Sequence, residues 1–268
     1  MTSATQSAAV LAVSDIHGHQ QVFTDRLTEH GLVDDGLRWM GGHATLWCLG
    51  DYVDRGPDGL AVLDLVRQLQ GQAPASGGHV GALLGNHEVQ LLAAKHFGTT
   101  PVPGLDPFAN WFDGWHHFGG QLTDLHNLTD EQIAWINELP VLATTDETLL
   151  MHSDTDRYLE LGNTIEEINA AAREILDGRD VAEWTHLCDI LSGRGTFLHD
   201  GPLHLMLDTF GVTQLMHGHS TLRQHFGLPS HRAGTPHRYA DGHAIAIDGG
   251  VFEDGGSLVI ATLAGNDT

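Results

Sequence analysis

Short apolar runs rich in β-branched residues recur along this chain, each closed by a polar residue, and several are followed by segments with helical periodicity. That alternation belongs to α/β folds. The runs lie at 8–14, 44–49, 80–84, 148–151 and 213–216, with a last pair at 244–247 and 257–262. Helical patterns at 20–29, 60–69 and 87–97 follow the first three, and 130–139 and 165–176 are amphipathic. Between 99 and 120 Pro, Gly, Trp and His predict a loop with short helical pieces, and 228–242 reads as another loop. The expectation is a single domain over 1–268 with insertions at 99–140 and 155–205.

Composition narrows the class. With 268 residues, 41% hydrophobic and 18% charged, the chain is neither disordered nor fibrous. Lys+Arg is 12 against Asp+Glu 35, a formal net charge of −23. A nucleic-acid binder needs a basic face and an anionic membrane attracts one, so neither is an expected partner. Residues 101–200 carry 19 of the acids and 4 of the bases, which reads as a solvated acidic face. Two cysteines, Cys48 and Cys188, make no disulfide framework and fit a reducing compartment. Residues 1–13 lack a basic segment and hold an apolar run of only six, at 8–13, too short for a signal peptide. A cytoplasmic location is expected.

The chemistry gathers where the apolar runs end. In order come Asp15 and His17, Asp51, Asn86 and His87, His152, then His217 and His219. In open α/β sheets ligands bind beyond the carboxyl ends of the strands, so these distant residues can meet. A strand-end aspartate alone is usually a turn or cap residue; eight oxygen and imidazole donors together, seven of them besides His87, are not. The mixture suits Mn, Fe or Zn rather than a thiolate-bound structural zinc. Seven ligands exceed one tetrahedral ion but suit two that share a carboxylate. With Asp51 as the bridge, Asp15, His17 and His219 would complete one ion and Asn86, His152 and His217 the other. Such a pair can ionise a shared water near neutral pH and clamp the oxygens of a displacement at phosphorus.

The blocks Ser14-Asp15-Ile16-His17-Gly18, Gly50-Asp51-Tyr52-Val53-Asp54-Arg55-Gly56, Leu84-Gly85-Asn86-His87-Glu88, Met151-His152 and His217-Gly218-His219 resemble, in order, those of the calcineurin-like metallophosphoesterases. The second and third resemble the phosphoprotein phosphatase branch, in its bacterial serine/threonine phosphatase and diadenosine-tetraphosphatase-like form. Asp15 and Asp51 are 36 residues apart, and Asp51 and Asn86 are 35 apart. Trp115, Gly119-Gly120 and Thr123 resemble a stretch of the bacterial branch. The likeness covers about 13–123 and returns at His152 and 217–219; it does not reach 155–200.

The resemblance implies a four-layer α/β/β/α sandwich, two divalent ions, with Mn2+ expected and Fe or Zn as alternatives, and direct hydrolysis of a phosphoester. His87 would be the general acid and Asp54 would accept its other N–H, orient the ring and raise its pKa. Arg55 offers a planar fork for phosphate, and Asn86 would face the same phosphate. A second arginine is expected from the later half of the chain, Arg194 first and Arg157 behind it. The expected substrate is a phosphoserine or phosphothreonine protein or a small phosphoester. A dinucleoside polyphosphate or nucleotide is the alternative, and a non-catalytic metal-binding regulator the distant one.

The chain departs from the pattern of the family it resembles at three places. Ser153-Asp154 stands where the eukaryotic branch has a glycine pair, His17 where symmetrical diadenosine tetraphosphatases carry Gln, and His219 lies in a His-Gly-His block. Glu88 is expected to cap its helix without touching metal, and Trp111 and Trp115 to fill a satellite core or cover the site.

Overall fold

The computed structural model describes residues 8–105 and 107–263, so what the sequence suggests for 1–7 lies outside the described residues. Nine strands are described: β1 Val10–Val13, β2 Thr45–Cys48, β3 His79–Ala82, β4 Leu142–Thr145, β5 Thr148–Met151, β6 Gln214–His217, β7 His237–Tyr239, β8 Ala244–Ala246 and β9 Ile260–Leu263. The α-helices are α1 Gln20–Glu29, α2 Gly59–Gln72, α3 Asn86–Phe97, α4 Trp111–His117, α5 Leu122–Asn127, α6 Asp130–Asn137, α7 Ile165–Asp177, α8 Val181–Leu191 and α9 Asp200–Phe210.

One sheet runs β3-β2-β1-β9, with β1, β2 and β3 parallel and β9 antiparallel at the edge. The other runs β4-β5-β6-β8-β7, with β5, β6 and β8 parallel and both edges antiparallel. Strand side chains alternate between faces, and this divides the core. Leu11, Val13, Leu149 and Leu215 face a cluster shared with the helices. Ala12, Leu150, Met216 and Ala261 face the other sheet, where the interior is closed by Ile245, Ile247 and Val259. Two sheets packed face to face with helices outside is the expected architecture. Burial of these side chains, at roughly 25 cal/mol per Å2, is what holds the layers together.

Differences lie in the expected insertions and loops. Within 155–205 the chain adds α8, whose Asp180 cap accepts the Ala182 N–H at 2.9 Å, and α9, whose Gly201-Pro202 start hides a helix because proline fits its first turn. Both α4 and α8 pack on α3. The segment 228–242 is not wholly loop, since β7 pairs with β8.

Register delivers the site. Val13, Cys48 and Ala82 lie abreast across β1, β2 and β3, so Asp15, Asp51 and Asn86 leave the same edge. The ladder continues beyond the strands, with Asp15 N–H on the Gly50 carbonyl at 3.1 Å and His17 N–H on the Asp51 carbonyl at 2.9 Å.

Candidate metal centre

Beyond the strand tips, ligand atoms of Asp15, Asp51, His152 and His219 lie within 4.8 Å of one another, and those of His17, Asp51 and His87 form a second such group. All six side chains are buried. His17 Nε2 lies 3.5 Å from Asp51 Oδ2 and 3.9 Å from Asp15 Oδ1. His152 Nε2 lies 3.4 Å from Asp51 Oδ1 and 3.0 Å from Asn86 Oδ1. Asp51 therefore faces both groups at the centre of the cluster.

The backbone is bent to achieve this. Asp15, His17, Asp51, Asp54, Arg55 and His219 all have φ between 46° and 66°. Left-handed conformations are uncommon for such residues, and clusters of them mark functional sites. Hydrogen bonds hold the bends. Asp15 accepts the His219 N–H at 2.9 Å and the Ser14 hydroxyl, and Asp51 accepts the His87 N–H at 3.0 Å. Glu88 caps α3 as expected, taking the Gly85 N–H at 3.0 Å, and it also takes those of Asp51 and Tyr52 at 2.9 and 2.7 Å. Gly85 is required here, because a Cβ would strike the Asp51 carboxylate.

The donors fit divalent cations. His17 and His152 give their Nδ1 protons to the carbonyls of Val53 and Leu49, at 3.0 and 2.8 Å. That leaves each Nε2 lone pair pointing inward, as second-shell bonds do for metal-binding imidazoles. His17 Nε2 and His219 Nε2 are buried with no hydrogen-bond partner, and His152 Nε2 faces only carboxylate and carboxamide oxygens. Buried acceptors without donors are costly; a cation among them removes the cost. Burial first, then Arg55 for His17 and His152 for His219, holds both rings well below the usual imidazole range, hence neutral and able to ligate.

His217 does not join them. Its Nδ1 donates to its own neighbour's carbonyl, Gly218 O, at 2.8 Å, so Nε2 accepts from the Tyr239 hydroxyl at 2.8 Å. The lone pair expected to reach an ion is engaged with β7 instead. Two residues on, His219 lies with its ring 4.9 Å from that of His152. The expected sharing of ligands, with His217 beside His152, gives way to one with His219 in that place. Position 218 must be glycine, since a Cβ would collide with Ser14 and Asp15.

His87 Nδ1 meets Asp54 Oδ2 at 2.8 Å, and the other oxygen of Asp54 receives the Trp115 indole N–H at 2.8 Å. Arg55 Nη2 stands 3.2 Å from His87 Nε2. A guanidinium only donates, so Nε2 is the acceptor and the proton sits on Nδ1, held by Asp54. The expected rise in the His87 pKa is not found: burial outweighs the Asp51 carboxylate and takes it down to about 3. Burial likewise pushes the Asp54 carboxyl well above its ordinary value.

Arg55 lies over the Phe252 ring, 3.8 Å from its centroid, a cation–π contact that holds the fork. Arg194 Nη2 donates to the His219 carbonyl at 3.2 Å, whereas Arg157 pairs with Glu160 on the surface. Next to Arg55 and Arg194 a cavity of about 270 Å3 opens, walled by Phe108, Trp111, Trp115 and Phe118 with Asp189 at its edge. Phe252 and Asp248 were not singled out in the sequence. Asp248 follows the run at 244–247, so the strand-tip rule that finds Asp15 and Asp51 applies to it; nothing in the sequence signals Phe252. Asp248 is buried, and burial with the nearby Asp15 charge raises its pKa well above the usual carboxyl range.

The family model described as calcineurin-like phosphoesterase matches residues 8–244, and the chain belongs to that family. It is 30% identical over 116 residues to Shewanella-like protein phosphatase 2 of Arabidopsis thaliana, covering 43% of this chain and 29% of that one. It is 29% identical over 167 residues to a symmetrical bis(5'-nucleosyl)-tetraphosphatase of Aromatoleum aromaticum, covering 62% and 50%. The chain thus spans half or less of either relative. The fold is similar to that of a cold-active protein-tyrosine phosphatase of a psychrophilic Shewanella species, with a TM-score of 0.70, 22% identity, and 94% and 75% of the two chains covered. Among the described residues no helix is long and apolar enough to cross a membrane. Cys48 and Cys188 are both buried, and burial pushes each thiol up to about 12, which leaves them unreactive.

Proposed function

We propose that this protein is a metal-dependent phosphoester hydrolase of the phosphoprotein phosphatase branch, acting on phosphoserine or phosphothreonine in proteins. The observation that carries it is the convergence of Asp15, Asp51, His152 and His219 atoms within 4.8 Å beside two arginines, the half-buried Arg55 and the exposed Arg194. Asp15, His17 and Asp51 would hold one divalent ion, and Asp51, Asn86, His152 and His219 the other, with Mn2+ favoured by the oxygen-rich set over Fe or Zn. When bound, the ions supply positive charge for the phosphoryl oxygens and lower the pKa of attacking water.

The chain's own residues do the rest. Arg55 and Arg194 bind the phosphate, with Phe252 and the His219 carbonyl fixing the two forks. When phosphate draws Arg55 away, His87 loses a cationic neighbour, so that Nε2 can take up a proton from solvent and give it to the leaving oxygen, while Asp54 accepts the Nδ1 proton and keeps the ring turned. The aromatic cavity receives the group that departs. Formal charge of −23 disfavours nucleic acid as the substrate.

A dinucleoside polyphosphate is the second reading, favoured by the tetraphosphatase likeness over 62% of the chain. Rates on phosphoserine, phosphothreonine and phosphotyrosine peptides and on diadenosine tetraphosphate, with and without chelator, test both. Preference for the peptides of about a hundredfold supports the first reading, the reverse preference the second, and full activity after metal removal sinks the hydrolytic mechanism.

A further inference from the structure

Asp154 is buried, and among the described residues no arginine or lysine pairs with it. Burying a carboxylate in this way is costly unless its oxygens are satisfied, and here both are. Oδ2 accepts the Gly195 N–H at 2.6 Å, Oδ1 accepts the Ser220 hydroxyl at 2.5 Å, and the backbone carbonyl takes the Thr196 N–H at 3.1 Å. The first and last of these donors directly follow Arg194 in its loop; Ser220 follows His219. Partners 41 and 66 residues away are thereby tied to the turn that carries His152. The tie continues at the arginine itself, which donates to the His219 carbonyl at 3.2 Å.

We propose that Asp154 is a positioning residue that sets the reach of Arg194 toward phosphate, by clamping the arginine's loop to the 217–220 turn. The proposal rests on Arg194 being a phosphate contact, as argued above. Accepting on both carboxylate oxygens fixes two loops at once, a task glycine at this position could not perform.

A cycle of Asp154→Ala, Arg194→Ala and the double variant tests it in Mn2+-saturated protein. The readouts are Kd for inorganic phosphate by calorimetry, and KM and kcat for p-nitrophenyl phosphate. Asp154→Ala removes both side-chain bonds and is expected to weaken phosphate binding and raise KM about tenfold, the scale of one charge-assisted hydrogen bond from Arg194 to phosphate, with kcat within about threefold. Added to Arg194→Ala it should change neither quantity further. Asp154→Asn should stay within about twofold of wild type, because its carboxamide oxygen can accept from Gly195 while its NH2 donates to Ser220 Oγ.

Additive losses in the double variant, equal losses in the Asn and Ala variants, or a shifted Mn2+ requirement would each overturn the proposal. Should Asp154→Ala fail to fold, Ser220→Ala replaces it in the same cycle and should weaken phosphate about threefold only where Arg194 is present. Phosphate binding without turnover in wild type would count against hydrolysis yet leave the calorimetric cycle decisive. Absence of phosphate binding in every protein overturns the proposal.

Discussion

The Trp115 indole N–H and the Asp54 carboxylate, 61 residues apart, form a buried hydrogen bond of 2.8 Å. The helix that walls the aromatic cavity is thereby fastened to the carboxylate that orients His87. Trp115→Phe keeps most of the packed ring and deletes the donor, leaving Asp54 with His87 and the Gln121 backbone N–H. The expected result is a fall in kcat of about tenfold with KM nearly constant, measured by steady-state kinetics. An unchanged kcat would mean that Asp54 does not need the indole as a tether.

His217 and His219 should behave oppositely. His219→Ala removes an inward lone pair and is expected to lower divalent-ion affinity about a hundredfold, since ligand and near-ligand losses have that scale. Tyr239→Phe, which deletes the hydroxyl bonded to His217, should leave metal content unchanged and cost about 1 kcal/mol of stability. Metal analysis after dialysis, beside thermal melts, checks both. Loss of metal in the Tyr239 variant would restore His217 as a ligand.

These residues show what a sequence can reveal. Asp15, Asp51, Asn86 and His152 were legible because they end apolar runs, and parallel strands put run ends at one edge. The 217–219 turn was legible as a block but not in its detail. Which imidazole turns inward depends on Tyr239, on a strand that reads as loop because Pro236 precedes it and three residues are too few for a period. The α8 and α9 helices were hidden in the same way, by an acidic stretch and by a Gly-Pro start. The pKa of His87 was misjudged because sequence supplies the Asp54 partner but not the burial that opposes it.

Metal should stabilise as well as activate. Three buried carboxylates, Asp15, Asp51 and Asp248, crowd the same pocket, and a bound cation offsets their repulsion. A ligand that binds only the folded state adds about 2.7 kcal/mol at a hundred times its Kd. Mn2+ is therefore expected to raise Tm by several degrees, with chelator reversing it, and His17→Ala should shrink the shift. An identical Tm with Mn2+ and with chelator would contradict a preformed site.

Asp124 offers a test away from the metal. Its side chain on α5 is buried against the start of α2, one oxygen has no hydrogen-bond partner, and burial, with the Asp54 and Asp58 charges, raises its pKa from 3.8 to about 7. The folded state therefore keeps a proton that the unfolded chain gives up near pH 4. Its contribution to stability is fully present below that pH and is lost as pH rises to about 7, at up to about 1.4 kcal/mol per pH unit. Asp124→Asn carries no titrating proton and can still accept from Leu60. Its stability relative to wild type should climb between pH 5 and 7 and level off above, in urea midpoints taken at each pH; a difference that does not vary with pH would show that this carboxyl titrates normally.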